Sequence, residues 1–231
     1  MSMNEEMKKT IIEHLTEFVT ESRMARIDSV LADRTRYVTV VLEDICNAHN
    51  ASAVIRSCEC FGAQDVHIID NENEYSVNPC VTQGSAEWID IIRYHKPGAI
   101  NSETCLKRLK TSGYRLVATT LDEHDCVLDD LPIDRPLAIM FGNEENGLTD
   151  YAMKQADMRM IIPMFGFTQS FNLSVSAALT LHSIVPRLHD SEIDWHLSEG
   201  EILDLKYRWM KRIVRRSDLL ERRFLESLEN S

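Results

Sequence analysis

The chain has 231 residues, of which 44% are hydrophobic and 27% are charged, as in an ordinary globular protein with one sizeable core and short terminal additions. No apolar run approaches the ~20 residues that span a bilayer, and charged residues near the N-terminus exclude a secretory signal, so we expect a cytoplasmic protein. The net charge of −12 argues against nucleic acid as a partner, because phosphate binding needs a basic surface, but the uneven distribution of the charge qualifies this.

The first half of the chain alternates between helical and extended patterns. Apolar residues recur at helical spacing over 7–30 and predict an N-terminal helical extension. The β-branched run 37–42 predicts a strand, and the next helix is expected to begin at Asn50 as its cap and to end before Gly62. Further strands are predicted at 66–69 and 88–92.

The second half continues this alternation. A helix is predicted over 102–111 with Gly113 as its stop, and an acidic loop at 122–134 separates two strands of the buried type. Strands that alternate with helices predict an α/β fold, with a mostly parallel sheet covered by helices on both faces. The remaining elements are strands at 114–119, 137–141 and Met160, a helix from about Asp150, and a helix after Asn172 that runs toward Pro186.

The predicted domain organisation is an N-terminal helical extension over 1–36, a central α/β domain over 37–190 and a basic helical extension over 191–231. From Lys206 onward there are eight basic residues against four acidic ones. This segment fits either a solvated amphipathic helix, with its aromatic residues packed on the core or on a partner chain, or an RNA-contacting helix. The candidates for RNA contact are Lys206, Arg208, Trp209, Lys211, Arg212 and Arg215.

Cysteine spacing argues against a zinc site. The six cysteines include no CxxC pair, and none lies at metal-ligand spacing with a histidine. We therefore predict reduced thiols and no metal cofactor.

Two blocks of sequence carry residues suited to chemistry. In the first, Asn50 caps the predicted helix and Arg56 extends from its second turn, unless Arg56 is a salt-bridged surface side chain. In the second, 141–148, Gly142 lets a ligand approach the backbone and Glu144 accepts hydrogen bonds from that ligand. The second block matches neither the Walker A nor the GxGxxG pattern, and alone it is equally consistent with a simple turn.

The third block, 161–179, is the most informative part of the sequence. A short apolar strand ends at Pro163, and a polar loop follows. Asn172 then opens a helix of small residues that another backbone can approach closely. A strand, a loop and a helix start in this order hold nucleotide-like ligands in α/β proteins.

Together the three blocks resemble the motifs of the SpoU, or TrmH-like, branch of the SPOUT RNA methyltransferases. The family patterns are N-x-x-x-x-x-R, F-G-x-E-x-x-G-L and I-P-M-x-G-x-x-x-S-L-N-V-S-V-A-A-A, which correspond to 50–56, 141–148 and 162–178. The resemblance covers about 37–188 and departs at Phe171, where the family usually has leucine. The length and short helical ends are most similar to the tRNA guanosine 2′-O-methyltransferases of this branch.

The resemblance implies a deep C-terminal trefoil knot, an exception to the general absence of knots, and a homodimer. It also implies that S-adenosylmethionine binds in the knot and that no metal is needed. Three side chains would surround the adenine: Ile162, Met164 and Phe171. The cofactor-binding candidates are Thr119, Gly142, Ile162, Met164, Phe171 and Ser174.

The implied activity is 2′-O-methylation of an RNA ribose, most simply of a tRNA D-loop guanosine. Arg56 matches the residue proposed to help deprotonate the 2′-hydroxyl. Because the pKa of arginine exceeds ~12, we favour phosphate positioning for it. The alternatives are a ribosomal RNA or another tRNA position, a Rossmann-like nucleotide-dependent enzyme, and a non-catalytic RNA-binding relative. The catalytic candidates are Arg56, Asn50, Glu144, Ser170 and Asn172.

Overall fold

The computed structural model describes residues 4–73, 75 and 78–229. Within them the chain divides into two compact units. The larger unit is Thr35–Trp195, and the smaller unit combines the described residues before Thr35 with those after Trp195. The N-terminal and C-terminal extensions, which the sequence presents as separate segments, therefore belong to one unit.

The larger unit is built on a single sheet. Among the described residues, seven strands lie in the order β3-β2-β1-β6-β4-β7-β5, and all neighbouring pairs are parallel. The predicted mostly parallel sheet is thereby confirmed. The strands are β1 (Val38–Glu43), β2 (Asp65–Ile69), β3 (Asp90–Tyr94), β4 (Arg115–Thr119), β5 (Cys126–Val127), β6 (Leu137–Phe141) and β7 (Met158–Ile161).

Helices cover both faces of the sheet, as predicted. In the larger unit they are α3 (Ala48–Cys60), α4 (Pro79–Thr82), α5 (Asn101–Thr111), α6 (Asp150–Gln155) and α7 (Leu173–His189). Because side chains alternate across a strand, β1 supplies two cores. Val38, Val40 and Leu42 pack with α3 and α7, whereas Val41 packs with α5 and α6.

The smaller unit is helical. Its elements are α1 (Glu5–Thr16), α2 (Glu21–Ala32), α8 (Glu199–Ile213) and α9 (Ser217–Glu229). Each of the first three begins at a side-chain cap, and α8 has a complete capping box formed by Ser198 and Glu201. No helix in the described part of the chain is long and apolar enough to cross a membrane.

Several predicted boundaries differ from those observed. The N-terminal pattern over 7–30 contains two helices, because Thr20 caps a new helix. The strand predicted from Trp88 begins at Asp90, since Trp88 ends a short 3-10 turn. The acidic loop 122–134 contains β5. Pro186 lies inside α7, which continues to His189.

His67 makes the stability of the larger unit depend on pH. It lies on β2, is 4% exposed and contacts the Tyr94 hydroxyl at 3.1 Å. Burial, helped by the nearby cations Arg108 and Arg36, lowers the pKa of His67 to about 4. Unfolding restores an ordinary pKa of about 6.5, so between these two values the unfolded chain binds the extra proton and stability falls with falling pH.

We predict that the wild-type protein loses about 2 kcal/mol more unfolding free energy than His67→Gln when the pH is lowered from about 7.5 to about 5. The variant side chain does not titrate, so it removes this contribution and leaves those of the other groups. Urea denaturation of both proteins at both pH values measures the difference. Equal losses in the two proteins would contradict the prediction.

Candidate active site

The loops that carry the three sequence motifs lie at one edge of the sheet. β1 and β6 are parallel neighbours, so the chain leaves both strands at the same edge, where Asp44 and Gly142 begin the following loops. In open α/β sheets ligands bind outside the carboxyl ends of the strands. The third motif follows β7, and Asn172 within it reaches back to Asn50 in α3.

A chain of hydrogen bonds joins the three motifs. Asn50 donates from Nδ2 to Glu144 Oε1 over 2.8 Å, and Asn172 donates from Nδ2 to Asn50 Oδ1 over 3.0 Å. Ser174 in turn donates to Asn172 Oδ1 from its backbone N–H at 2.9 Å and from its hydroxyl at 2.6 Å. An ionised carboxylate only accepts, so Glu144 sets the orientation of both amides.

The cap of α3 is Asn47, and the prediction that Asn50 is the cap is wrong. Asn47 Oδ1 accepts the hydrogen bond of the His49 N–H at 2.9 Å. Both asparagines are good capping residues, so the sequence alone does not distinguish them. Because Asn50 lies one turn inside the helix, its amide is available for Glu144 and Asn172. Asn172, by contrast, caps α7 as predicted.

Gly142 is required by its own loop. A Cβ atom at this position would lie 2.1 Å from backbone atoms of Gly147 and Leu148. The loop closes by two hydrogen bonds between the backbones of Asn143 and Gly147, of 3.0 and 2.8 Å. The close approach that the sequence assigned to a ligand is made by the loop itself.

Arg56 is exposed on α3. Its side chain makes no hydrogen bond or ion pair with the residues that the structure describes, so no salt bridge of Arg56 is seen within these residues. The guanidinium is available for a ligand.

The remaining candidates of the larger unit lie along the same edge. Thr119 ends β4, and its hydroxyl donates to the carbonyl of Met140 at 2.9 Å. Ile162 and Met164 are half-buried. Ser170 is exposed and Phe171 is 42% exposed. The structure therefore brings Asn50, Glu144, Asn172 and Ser174 into one hydrogen-bonded chain, whereas Arg56, Thr119 and Ser170 make no contact with it through the hydrogen bonds of the described residues.

Two residues beside this hydrogen-bonded chain were not among the candidates, and one of them, Cys46, contacts it. The backbone N–H of Cys46 lies 3.4 Å from Glu144 Oε2. Asn143 donates to the carbonyl of Asp44 at 2.9 Å. The sequence could have identified them by their position, because each lies close to the carboxyl end of a strand and to a residue of a motif.

The sequence pattern of the SpoU rRNA Methylase family matches residues 37–182. The chain belongs to the SpoU methylase family. The matched range contains all three motifs and lies within the larger unit.

Individual SpoU relatives match nearly the whole chain. It is 41% identical to a tRNA (guanosine(18)-2′-O)-methyltransferase of Borreliella burgdorferi, over 94% of this chain and 95% of that one. It is 28% identical to the protein of that name from Aquifex aeolicus, over 83% of this chain and 90% of that one. The crystal structure of the A. aeolicus TrmH/SpoU tRNA modifying enzyme gives a TM-score of 0.74 at 28% identity, over 85% of this chain and 98% of that one.

The predicted RNA-contact residues lie in the smaller unit, outside the SpoU match. Lys206 pairs with Asp28, and Lys211 pairs with Asp218 and Glu221. Arg208 and Arg212 also have partners within the chain. Trp209 is 5% exposed, with the Arg34 guanidinium 5.4 Å from its ring, so its surface is not available to stack on a base. Of the six candidates, Arg215 is exposed without a side-chain partner among the described residues.

We predict that Gly142→Ala lowers the unfolding free energy of this SpoU domain by about 1–3 kcal/mol or more, because the added methyl group meets backbone and cannot be relieved by a rotamer change. Gly166→Ala is the matched control, since nothing lies within 4 Å of the Cβ that it adds. Thermal or urea denaturation measures both. Equal stability of the two variants would contradict this account of Gly142.

Proposed function

We propose that this protein transfers a methyl group from S-adenosylmethionine to the ribose 2′-oxygen of guanosine 18 in tRNA. The observation that carries the proposal is the hydrogen-bonded chain from Glu144 through Asn50 to Asn172, which unites the three SpoU motifs in one site. The target nucleotide comes from the relative that matches nearly end to end. The proposed location is the cytoplasm, where tRNA is used.

The edge of the sheet fits the cofactor. Ile162 and Met164 are half-buried and Phe171 is partly exposed, so they offer apolar surface for an adenine ring. Thr119 is the last residue of β4, and Gly142 follows the neighbouring strand β6. Backbone groups at these strand ends are available for the ribose and the amino-acid part of S-adenosylmethionine. Ser174 already donates its hydroxyl to Asn172, so it would contact the cofactor as an acceptor. When bound, the cofactor supplies a methyl group on a sulfonium.

The residues of the chain supply positioning. Arg56 is a poor base, because its pKa exceeds ~12, but its planar guanidinium binds a phosphate with two hydrogen bonds. We assign it to a substrate phosphate beside the target ribose, with that phosphate accepting the 2′-hydroxyl proton. The hydrogen bonds among Glu144, Asn50 and Asn172 fix the positions of the loop that contains Glu144, α3 and the start of α7 relative to one another. Ser170 lies in the loop between β7 and α7 and is exposed to solvent. Fixing the reacting atoms in this way supplies most of the acceleration.

We also propose that the larger unit contains a trefoil knot. α7 packs with α3 and the sheet. It also contacts the connection between β4 and β6, where Ser183 donates to Asp129 at 3.3 Å and Arg187 donates to the carbonyl of Leu131 at 2.6 Å. A threaded C-terminal helix requires contact with both the sheet and an earlier connection.

A homodimer is proposed from the exposed faces of α3 and α7. A groove between these helices is lined largely by small and apolar side chains, including Ala53, Ala178, Val175 and Leu179. Val175 is 43% exposed and Leu179 is 38% exposed, although both lie on a helix that packs on the core. Exposed apolar patches of this kind mark interaction sites, and a second copy of the chain is the proposed partner.

The proposed RNA surface differs from the predicted one. Lys206, Lys211 and Trp209 are engaged within the smaller unit and are left out of it. Four arginines near the turn between α8 and α9 are exposed, and their side chains have no partner in the described ranges. They are Arg215, Arg216, Arg222 and Arg223. Unpaired arginines are suited to the phosphates of tRNA even in a protein whose net charge is −12.

The wild-type protein is expected to methylate a tRNA transcript at the 2′-oxygen of guanosine 18, and Arg56→Ala is expected to bind S-adenosylmethionine normally while methylation falls by about a hundredfold or more. Labelled cofactor with mapping of the modified nucleotide measures methylation, and calorimetry measures cofactor binding. A transcript with 2′-deoxyguanosine at the target position is the control. Methylation of ribosomal RNA alone, or a wild-type rate in Arg56→Ala, would contradict the proposal.

Arg216→Gly should weaken tRNA binding without destabilising the fold. Arg216 has a φ of +60°, a conformation that costs a non-glycine residue about 1–2 kcal/mol, so glycine relieves strain while one cation is lost. The expected result is a higher Kd for tRNA and a salt slope smaller by about 1, with an equal or higher Tm. Arg216→Lys should restore binding. Lys154→Gln, which removes an exposed cation of the larger unit, is the matched control. An unchanged Kd and salt slope in Arg216→Gly would exclude this surface.

A further inference from the structure

Two consecutive acidic residues are buried at the end of β1. Glu43 is 1% exposed and Asp44 is 8% exposed. We propose that they are positioning residues that hold the two ends of the Glu144 loop, defined as residues 142–149, in the geometry that the reaction needs. The proposal rests on the proposed function, because it takes Glu144 as a residue of the reactive site.

Asp44 holds the beginning of the loop. Its φ of +52° is a left-handed conformation that aspartate tolerates better than most residues. Its carboxylate is anchored by the backbone N–H groups of Asn71, Glu72 and Asn73, at 2.7, 2.8 and 3.3 Å. Its carbonyl, fixed in this way, accepts the hydrogen bond from Asn143 Nδ2 at 2.9 Å.

Asn143 transmits that hold to Glu144. Its Oδ1 accepts from the backbone N–H groups of Glu145 and Asn146, at 2.8 and 3.3 Å, and so shapes the turn directly after Glu144. Its Nδ2 also lies 2.9 Å from Cys46 Sγ. One amide therefore forms the turn with its oxygen and attaches the turn to the end of β1 with its nitrogen.

Glu43 holds the end of the loop. Its Oε2 accepts from the Thr149 N–H at 2.9 Å, and its Oε1 accepts from the Thr149 hydroxyl at 3.0 Å and from the Ser102 hydroxyl. Thr149 is also the cap of α6, accepting from the Ala152 N–H at 3.2 Å. The Glu43 carboxylate therefore determines where the loop stops and the helix begins.

The contacts close a ring around Glu144. The polypeptide continues from Asp44 to Cys46 and Asn50, both of which donate to the Glu144 carboxylate. Asn143, next to Glu144, donates to the Asp44 carbonyl and so closes the ring. A misplacement of about 1 Å in a catalytic array can cost about a hundredfold in rate. A loop held at both ends by buried carboxylates protects Glu144 from such displacement.

Asn143→Asp tests the Asp44 end selectively. The variant keeps an acceptor for the turn but loses the donor and places a carboxylate against the Asp44 carbonyl. We expect kcat to fall about tenfold or more while KM for tRNA changes less than about twofold, because RNA affinity comes from other residues. Asn146→Asp adds the same charge to the same loop at an exposed side chain, and it should retain the wild-type kcat.

Thr149→Val and Thr149→Ser test the Glu43 end. Valine loses the hydroxyl that donates to Glu43 and caps α6, so Thr149→Val should lower kcat as Asn143→Asp does. Serine keeps this hydroxyl with both contacts, so Thr149→Ser should have the wild-type kcat. Hydrogen exchange of the backbone amides of 142–149 gives a readout that needs no catalysis, and it should be faster in Asn143→Asp and Thr149→Val than in the wild type.

The outcomes separate the two proposals. The positioning role is overturned if Asn143→Asp has the wild-type rate of amide exchange over 142–149 or the wild-type kcat. It is also overturned if Thr149→Ser and Thr149→Val lose kcat equally. If the wild-type protein methylates no tRNA and exchange still accelerates in both variants, the proposed function is wrong and the hold on the loop is supported.

Discussion

The Glu144 carboxylate is the group on which the arrangement of the site depends. It accepts from Asn50, and because it cannot donate, it fixes which end of each following amide points toward it. Asn50 must then accept from Asn172, which accepts from Ser174. The Glu144 loop and the first turn of α3, which are 94 residues apart in sequence, are thus held together by one directed set of hydrogen bonds.

The distribution of charge agrees with the proposal that tRNA binding and methyl transfer use residues of different units. The chain is acidic as a whole, yet the arginines near the turn between α8 and α9 remain exposed and unpaired among the described residues, while Lys206 and Lys211 are neutralised by neighbouring carboxylates. A concentrated cationic patch attracts a polyanion more effectively than the same charges spread over the surface. Binding and chemistry are then assigned to residues of different units.

Local patterns predicted the elements whose signals are local. The strand β6 was predicted with its observed bounds, because a run of apolar residues between a proline and a glycine leaves little choice. The helix α5 and its stop were predicted from periodicity and from the glycine at 113, and the structure gives Gly113 the positive φ that suits glycine. The cap of α3 was misplaced, since Asn47 and Asn50 are equally good caps and only the geometry of the chain decides which one accepts from a backbone N–H of the first turn.

The sequence by itself determined the α/β class, the order of the main strands and helices, the three SpoU motifs and the family, because these depend on periodicity and on residue types at fixed spacing. Only the tertiary structure decided the use of each side chain. In the structure Gly142 allows its loop to close, and Trp209 is buried. The buried pair Glu43 and Asp44 accepts hydrogen bonds from the two ends of the Glu144 loop. Hydrogen-bond partners and burial depend on residues distant in sequence, and no local pattern contains that information.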